Sequence, residues 1–263
     1  MHVTIPSGAW TPTISVIHAT LGRPEKAAAA MRQWLERAEA PDLIEYIFVV
    51  NESDTTKDEL LKAIGGLGPR EYGGVKVEGQ VSVFVADVSH SAPAWNAGAS
   101  EARGKLLIQG QDDVEAPQWW DHILLHQIHI NIKTLDDPVF IGVGDGYRKG
   151  PHGDLCTTAI MTRAYRDLEG HFLYPGYRSV FSDDEVTYRA LRNDRDGRAK
   201  FISARNIIFK HEHHYHVKGP KGEALVPWDK TYEHENSAEA YAIGQRLFWE
   251  RNPRARTDGL RTW

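Results

Sequence analysis

The chain has 263 residues, of which 41% are hydrophobic and 25% are charged. This composition is that of an ordinary globular protein, and it excludes collagenous, coiled-coil and disordered chains. The formal net charge of −5 argues against a broad surface that coats nucleic acid. The single cysteine, Cys156, excludes an intrachain disulfide and a multi-thiolate zinc site. Because no apolar run reaches about 18 residues, we expect no membrane span and a soluble, cytoplasmic protein.

Strands alternate with helices in the first half of the chain. Apolar, β-branched runs bounded by polar clusters predict strands at 13–19, 44–50, 81–85 and 105–109. The stretch 24–38, which opens on a proline, and the small-residue stretch 93–103 predict helices. This alternation predicts an α/β fold with a mostly parallel central sheet flanked by helices.

The second half of the chain is less regular. It predicts strands at 138–143, 155–161 and 206–210, a helix at 183–192, a helical segment within 228–251 and a frayed tail from Asn252. We expect a single domain over 1–263, with a nucleotide-facing part at about 11–115, an acceptor-facing part at 116–216 and a helical extension at 217–263.

Polar residues follow each of the first four predicted strands. They are His18 to Thr20, Asn51 to Asp54, Asp87, and Gln111 to Asp113. In an open parallel sheet, ligands bind beyond the carboxyl ends of the strands. These four clusters therefore predict one polar rim that holds a nucleotide.

Asp112 and Asp113 stand directly after an apolar strand. Two adjacent carboxylates are unfavourable unless a cation or strong donors balance them, and hard divalent cations prefer oxygen ligands. A site for a metal and a diphosphate is one interpretation. The alternative is a solvated turn that caps the next helix.

The spacing from Asn96 to Asp113 resembles that of the family 2-like, GT-A fold glycosyltransferases. In that family, N-x-G-x-x-x-A-x-G and an apolar strand precede an Asp-rich motif, and Asn96, Gly98, Ala102, Gly104 and Asp112-Asp113 match it. The segment from Thr20 to Pro24 is similar to the family's first turn, and Asn51-Glu52-Ser53 is similar to its base-binding segment. The resemblance implies a GT-A-like, Rossmann-like fold that binds a nucleoside diphosphate sugar.

The same resemblance implies roles for individual residues. Donor-binding residues would be Thr20, Arg23, Glu52, Asn96, Gly98 and Asp113. Asp112 would bind a divalent metal, Mn²⁺ or Mg²⁺. The family often has an acidic residue at the position of Gln111, so the metal is inferred and a degenerate site is an alternative.

Asp183 is the candidate catalytic base. The stretch from Ser182 to Arg189 resembles the family's E-D-x-D/E element, with Asp183 in place of its aspartate. A carboxylate near a helix N-terminus is held in its ionised form and can remove the proton of an acceptor hydroxyl. Asp184 is a competing assignment, and the alternative is a purely acidic first turn.

Four histidines, His211, His213, His214 and His216, lie within six positions. The stretch is not an H-E-x-x-H zinc-protease motif, because Tyr215 occupies the place of the second histidine. On a strand, His211 and His213 would share one face. By resemblance, His211 and then His213 are further metal ligands, whereas His214 and His216 are unassigned. Acceptor-side or surface histidines without metal are the alternative.

These features predict a glycosyltransferase that moves a sugar to a hydroxyl acceptor, with inversion implied by the resemblance. The acceptor class stays open among a glycan, a small molecule and a modified nucleobase in DNA. The last would suit a bacteriophage enzyme in its host's cytoplasm. Binding of a DNA acceptor would need a basic groove, and the candidates for it are Arg189, Arg192, Arg195, Arg198 and Lys200. The rival functions are a non-catalytic nucleotide or glycan binding module and a nucleotidyltransferase.

Overall fold

The computed structural model describes residues 11–65, 71–72, 75–76, 80–132, 134–147, 155–214, 217–219, 221–224, 226 and 228–258. The strands are β1 (Ile14–Thr20), β2 (Ile44–Asn51), β3 (Glu71–Tyr72), β4 (Val75–Lys76), β5 (Val81–Ala86), β6 (Leu106–Gly110), β7 (Val114–Glu115), β8 (Val139–Gly144), β9 (Ile160–Thr162), β10 (Lys200–Ile208) and β11 (Lys210–His211). The helices are α1 (Pro24–Glu36), α2 (Lys57–Gly65), α3 (Ser91–Glu101), α4 (Trp120–Asn131), α5 (Arg163–Glu169), α6 (Ser182–Arg195), α7 (Lys230–Glu235) and α8 (Ala238–Arg251).

Within the described residues, seven strands form a central sheet in the order β10-β8-β9-β6-β1-β2-β5. Strand β9 runs antiparallel to both of its neighbours, and the other neighbouring strands are parallel. The α/β fold with a mostly parallel sheet is therefore confirmed. Because β1, β2, β5 and β6 are mutually parallel, their carboxyl ends lie at one edge of the sheet.

The core consists of two apolar layers, one on each face of this sheet. Tyr46 and Phe48 of β2 face the layer that contains α1 and α4. Ile47 and Val49 face the opposite layer, which contains α3, α6 and α8. Burial on both faces explains why β2 is a continuous apolar run rather than an alternating one.

Several boundaries differ from the sequence predictions. The strand expected at 155–161 is reduced to the short β9, and helices α2 and α4 were not predicted. The expectation of a frayed tail is wrong as far as residue 258, because Ala255 is buried and Asp258 accepts a hydrogen bond from the Tyr188 hydroxyl. The division into nucleotide-facing, acceptor-facing and extension parts stays a prediction.

None of the helices in the described ranges has the length and apolar character that crossing a membrane requires.

Candidate functional site

A cavity of about 450 Å³ opens at the carboxyl edge of the sheet. Its walls come from the segments that follow β1 and β6, from the start of α6, from the stretch around β11 and from α7. Seven of the ten residues predicted as catalytic, donor-binding or metal-binding line it, namely Thr20, Arg23, Asp112, Asp113, Asp183, His211 and His213, and so does Asp184, the competing base assignment. We call this space the rim cavity. It brings together candidates that lie as far apart in the chain as Thr20 and His213.

The structure does not bring Asn96 and Gly98 to the rim cavity. The Asn96 side chain accepts a hydrogen bond from the backbone N–H of Phe172 at 2.9 Å and donates to the carbonyl oxygen of Leu173 at 2.5 Å. Gly98 lies against the sheet, where a Cβ would come within 2.5 Å of Ile17 and 2.6 Å of Val49. Both residues therefore make packing contacts here, and their donor-binding roles stay predictions.

Glu52 also lies outside the rim cavity. It is exposed at the turn after β2, where its carbonyl oxygen accepts a hydrogen bond from the Lys57 ammonium at 2.5 Å. Of the other predicted rim residues, His18 is fully buried and its Nδ1 lies 2.7 Å from the Tyr46 hydroxyl. The base-binding role of Glu52 stays a prediction.

Asp112 is balanced by a cation from the chain itself. Arg23, at the start of α1, places its Nη1 3.2 Å from Oδ2 of Asp112 and its Nε 2.8 Å from Oδ2 of Asp229. Burial, and then the neighbouring charge of Asp113, raise the pKa of Asp112, and Arg23 opposes that rise. The Arg23 guanidinium also lies over the ring of Tyr232, 4.7 Å from its centre.

Asp113 is held in its ionised form. Burial acts to raise its pKa, but the opposing effects of the His211 imidazole, 3.4 Å away, and of the Tyr232 hydroxyl, which donates at 2.8 Å, lower the pKa well below the usual range. The pairing of β11 with β7 sets this contact, because His211 lies opposite Val114, the residue after Asp113.

The donor types at this wall fit a divalent cation. Asp112 and Asp113 offer carboxylate oxygens, and His211 and His213 offer imidazole nitrogens, a mixture that favours Mn²⁺ over Mg²⁺. Asp113 and His211 already lie within reach of one ion, whereas the oxygens of Asp112 contact Arg23. Gln111, at the position where the family has an acid, donates its amide to the carbonyl oxygen of Thr157 at 2.9 Å.

The acidic start of α6 is divided between two environments. Asp183 and Asp184 line the rim cavity, and Asp183 accepts a hydrogen bond from the backbone N–H of Asp184. Glu185 points away and pairs with Arg251 at 2.9 Å. Phe181, directly before the helix, has a φ of 69°, a left-handed conformation that is unfavourable for an aromatic residue. Such strain is concentrated at functional sites.

The histidine stretch is only partly a strand. Strand β11 ends at His211, yet the rings of His211 and His213 remain in contact, with their centres 5.3 Å apart. The Nδ1 of His214 lies 2.5 Å from the carbonyl oxygen of Val226. His216 lies outside the described residues.

Sequence reasoning missed the contribution of α7. Asp229 caps this helix and binds Arg23, while Tyr232 binds Asp113, so α7 forms one wall of the rim cavity. Asp229 three positions before Tyr232 is an N-cap signal that could have placed the helix start. Its docking on the rim has no local sequence signal.

The other sequence candidates have structural surroundings. Cys156 is buried in the apolar layer that contains α3, α6 and α8. Of the basic groove candidates, four form ion pairs with Glu169, Asp194, Asp196 or Asp258, namely Arg189, Arg192, Arg195 and Lys200. A groove of unpaired cations is therefore not formed by these four residues.

Comparison with known proteins gives structural likenesses alone. No family model matches the chain, and no curated protein matches it. A mannosyltransferase from Pyrobaculum calidifontis, solved with GDP-Man and Mn²⁺, is similar with a TM-score of 0.51 and 12% identity, over 99% of this chain and 80% of that chain.

TarS 1–349 from S. aureus is similar with a TM-score of 0.55 and 12% identity, over 94% of this chain and 76% of that one. A structure of the same protein with UDP gives a TM-score of 0.53 at 13% identity. These likenesses confirm the GT-A-like fold. At such identities they do not extend to the activity.

Proposed function

We propose that the protein is a glycosyltransferase that moves a sugar from a nucleoside diphosphate sugar to a hydroxyl acceptor. The observation that carries this proposal is the convergence of Thr20, Arg23, the aspartate pair and the acidic start of α6 on the rim cavity. Structural neighbours solved with GDP-Man and Mn²⁺ or with UDP support a donor of this class.

In the proposed reaction, the donor diphosphate lies against Thr20, Arg23 and the aspartate pair. Asp183 accepts the proton of the acceptor hydroxyl while that oxygen bonds to the anomeric carbon, and the bond from this carbon to the diphosphate breaks. A single displacement of this kind inverts the anomeric centre. A cation bound by Asp112, Asp113 and His211, with His213 nearby, would neutralise charge on the departing diphosphate.

The acceptor would bind against the wall of the rim cavity that is formed by Val180, Phe181 and Tyr241. The rings of Phe181 and Tyr241 meet edge to face with centres 6.1 Å apart, and both line the rim cavity near Asp183. Aromatic faces pack well on the apolar faces of sugar rings. A glycan or a small hydroxyl compound is therefore favoured over DNA, because four groove candidates are paired with acids.

A non-catalytic binding module is the second candidate. It is favoured by the pairing of Asp112 with Arg23 and by the use of Gln111 to hold Thr157. In such a module the cavity would hold a nucleotide or glycan without a displacement step.

The two candidates separate in one experiment. UDP-, GDP-, CDP- and dTDP-sugars are incubated with the protein and Mn²⁺, and release of the nucleoside diphosphate is measured with and without a panel of hydroxyl acceptors. We expect Asp183→Asn to lose turnover by about 100-fold or more while donor affinity is kept. The matched control is Asp196→Asn at the other end of α6, which should behave as wild type. Absence of turnover with every donor would favour the binding module.

A further inference from the structure

Two histidines and a glutamate meet at the edge of the rim cavity. His90 precedes α3, and His234 and Glu235 end α7. Their potential ligand atoms all lie within 4.8 Å of one another, and this is the one such group among the residues that the structure describes. Neither the aspartate pair nor the base candidate belongs to it.

The separations are close to those of a metal site. Nδ1 of His90 lies 3.7 Å from Oε1 of Glu235, and Nε2 of His234 lies 3.8 Å from the same oxygen. Ligands of a tetrahedral ion with bonds of about 2.1 Å are about 3.4 Å apart, so small side-chain rotations suffice. The buried Nδ1 of His90 has no hydrogen-bond partner among the residues that the structure describes, so one nitrogen is already available.

The surroundings orient these groups. The Ser91 hydroxyl donates to Oε2 of Glu235 at 3.0 Å, which leaves Oε1 directed at the histidines. A hydrogen-bonded carboxylate of this kind is typical of metal ligands. Nε2 of His234 lies 3.1 Å from the carbonyl oxygen of Ser89, and this contact would be exchanged for the metal bond.

We propose that His90, His234 and Glu235 form a second metal site, which binds a borderline divalent ion such as Zn²⁺. Two imidazoles and one carboxylate are a common ligand set for this ion, whereas Mg²⁺ prefers oxygen ligands throughout. The site is separate from the proposed diphosphate metal, and it does not depend on the proposed transfer reaction.

Metal at this site would clamp α7 onto the rim. The helix already contacts three rim segments: Thr231 donates to the carbonyl oxygen of Leu21, Tyr232 donates to Asp113, and His234 lies against Ser89. A bond from His234 and Glu235 to an ion held by His90 would join α7 to the start of α3. The clamp would thereby hold Tyr232 on Asp113.

The test uses full-length protein without a polyhistidine tag, stripped of metal with a chelator. Co²⁺ is the spectroscopic probe, because its visible absorption reports four- or five-coordinate binding, and Zn²⁺ is then used in competition. We expect wild type to show this absorption and Zn²⁺ to remove it. Saturating Zn²⁺ should raise the midpoint of thermal unfolding by about 5 °C or more.

The variants separate this site from the aspartate pair. In Asp113→Asn, which lacks a ligand of the other candidate cation site, the further changes His234→Ala and Glu235→Gln should weaken Co²⁺ binding by at least about tenfold, whereas the exposed His126→Ala should leave it unchanged. His234 is half exposed, so its loss leaves the fold intact, which circular dichroism verifies. The proposal is overturned if Asp113→Asn gives no such absorption, or if the absorption is unchanged when His234→Ala or Glu235→Gln is added to it.

Discussion

Replacing Glu185 by glutamine is expected to destabilise the fold, although the residue lies only two positions after the candidate base. The Glu185 carboxylate is 4% exposed, accepts a hydrogen bond from the Tyr177 hydroxyl at 2.5 Å and pairs with Arg251 at 2.9 Å. Hydrogen bonds to a charged group contribute about 1.5–3 kcal/mol each, against about 0.5–1.5 kcal/mol for neutral ones. Glutamine keeps the shape but loses the charge.

We therefore expect Glu185→Gln to lower the free energy of unfolding by about 2–3 kcal/mol, because the Arg251 side chain is 28% exposed and regains some hydration. For a chain of this size, that is a fall of roughly 4–12 °C in the midpoint of thermal unfolding. Asp183→Asn should leave the midpoint unchanged, because Asp183 faces the cavity.

Thermal and urea unfolding of the two variants, followed by circular dichroism, measure this difference. If Glu185→Gln unfolds like wild type, the buried Glu185 carboxylate does not stabilise the fold as expected. If Asp183→Asn loses as much stability as Glu185→Gln, the expected difference between the two residues is wrong. Loss of sugar transfer in Asp183→Asn would then report unfolding and not the loss of a base.

Two further predictions concern His18 in β1 and Gly98 in α3. Burial lowers the pKa of His18 from 6.5 to about 3, so the unfolded chain binds a proton near pH 6.5 while the folded chain does not. Stability should fall as the pH drops below 6.5, by about 2 kcal/mol at pH 5, and urea unfolding of His18→Gln should show a flatter profile. Gly98→Ala should destabilise the fold by about 1–3 kcal/mol, because its Cβ would meet Ile17 and Val49. Its KM for the donor should stay within about twofold of wild type; a large rise would support the donor-binding role of Gly98.

The sequence predicted the strands of the sheet well where an apolar run and the polar residues that bound it indicate the same element. β1, β2 and β6 are buried runs and β5 is a half-buried one; each ends in a polar cluster, and parallel pairing places those ends at one edge of the sheet. The position of Asp112 and Asp113 at this edge follows from the strand order, whereas Asp183 was proposed from the family resemblance alone. Helix α4 escaped prediction because Trp119 at its N-cap has a left-handed conformation and offers no capping side chain.

The contacts made across long sequence separations could not be predicted. Tyr232 reaches Asp113 and Asp229 reaches Arg23 only because α7 docks on the rim, and packing decides that docking. Asn96 shows the reverse case. Its family motif suggested a ligand contact, whereas its amide is engaged by the backbone at 172–173.

Binding of a nucleoside diphosphate with a metal in the rim cavity underlies the proposed function. It is tested most directly by thermal unfolding with UDP, GDP, CDP and dTDP, each with and without Mn²⁺, in wild type, Asp113→Asn and the control Asp196→Asn. We expect one nucleotide, at 100 times its dissociation constant and with Mn²⁺, to add about 2.7 kcal/mol to the free energy of unfolding of wild type. The midpoint of thermal unfolding should then rise by about 5–10 °C. Asp113→Asn should lose the Mn²⁺-dependent part of that shift, and Asp196→Asn should keep it. If the midpoint does not shift with any nucleotide at millimolar concentration, with or without Mn²⁺, the rim cavity is not a nucleoside diphosphate site.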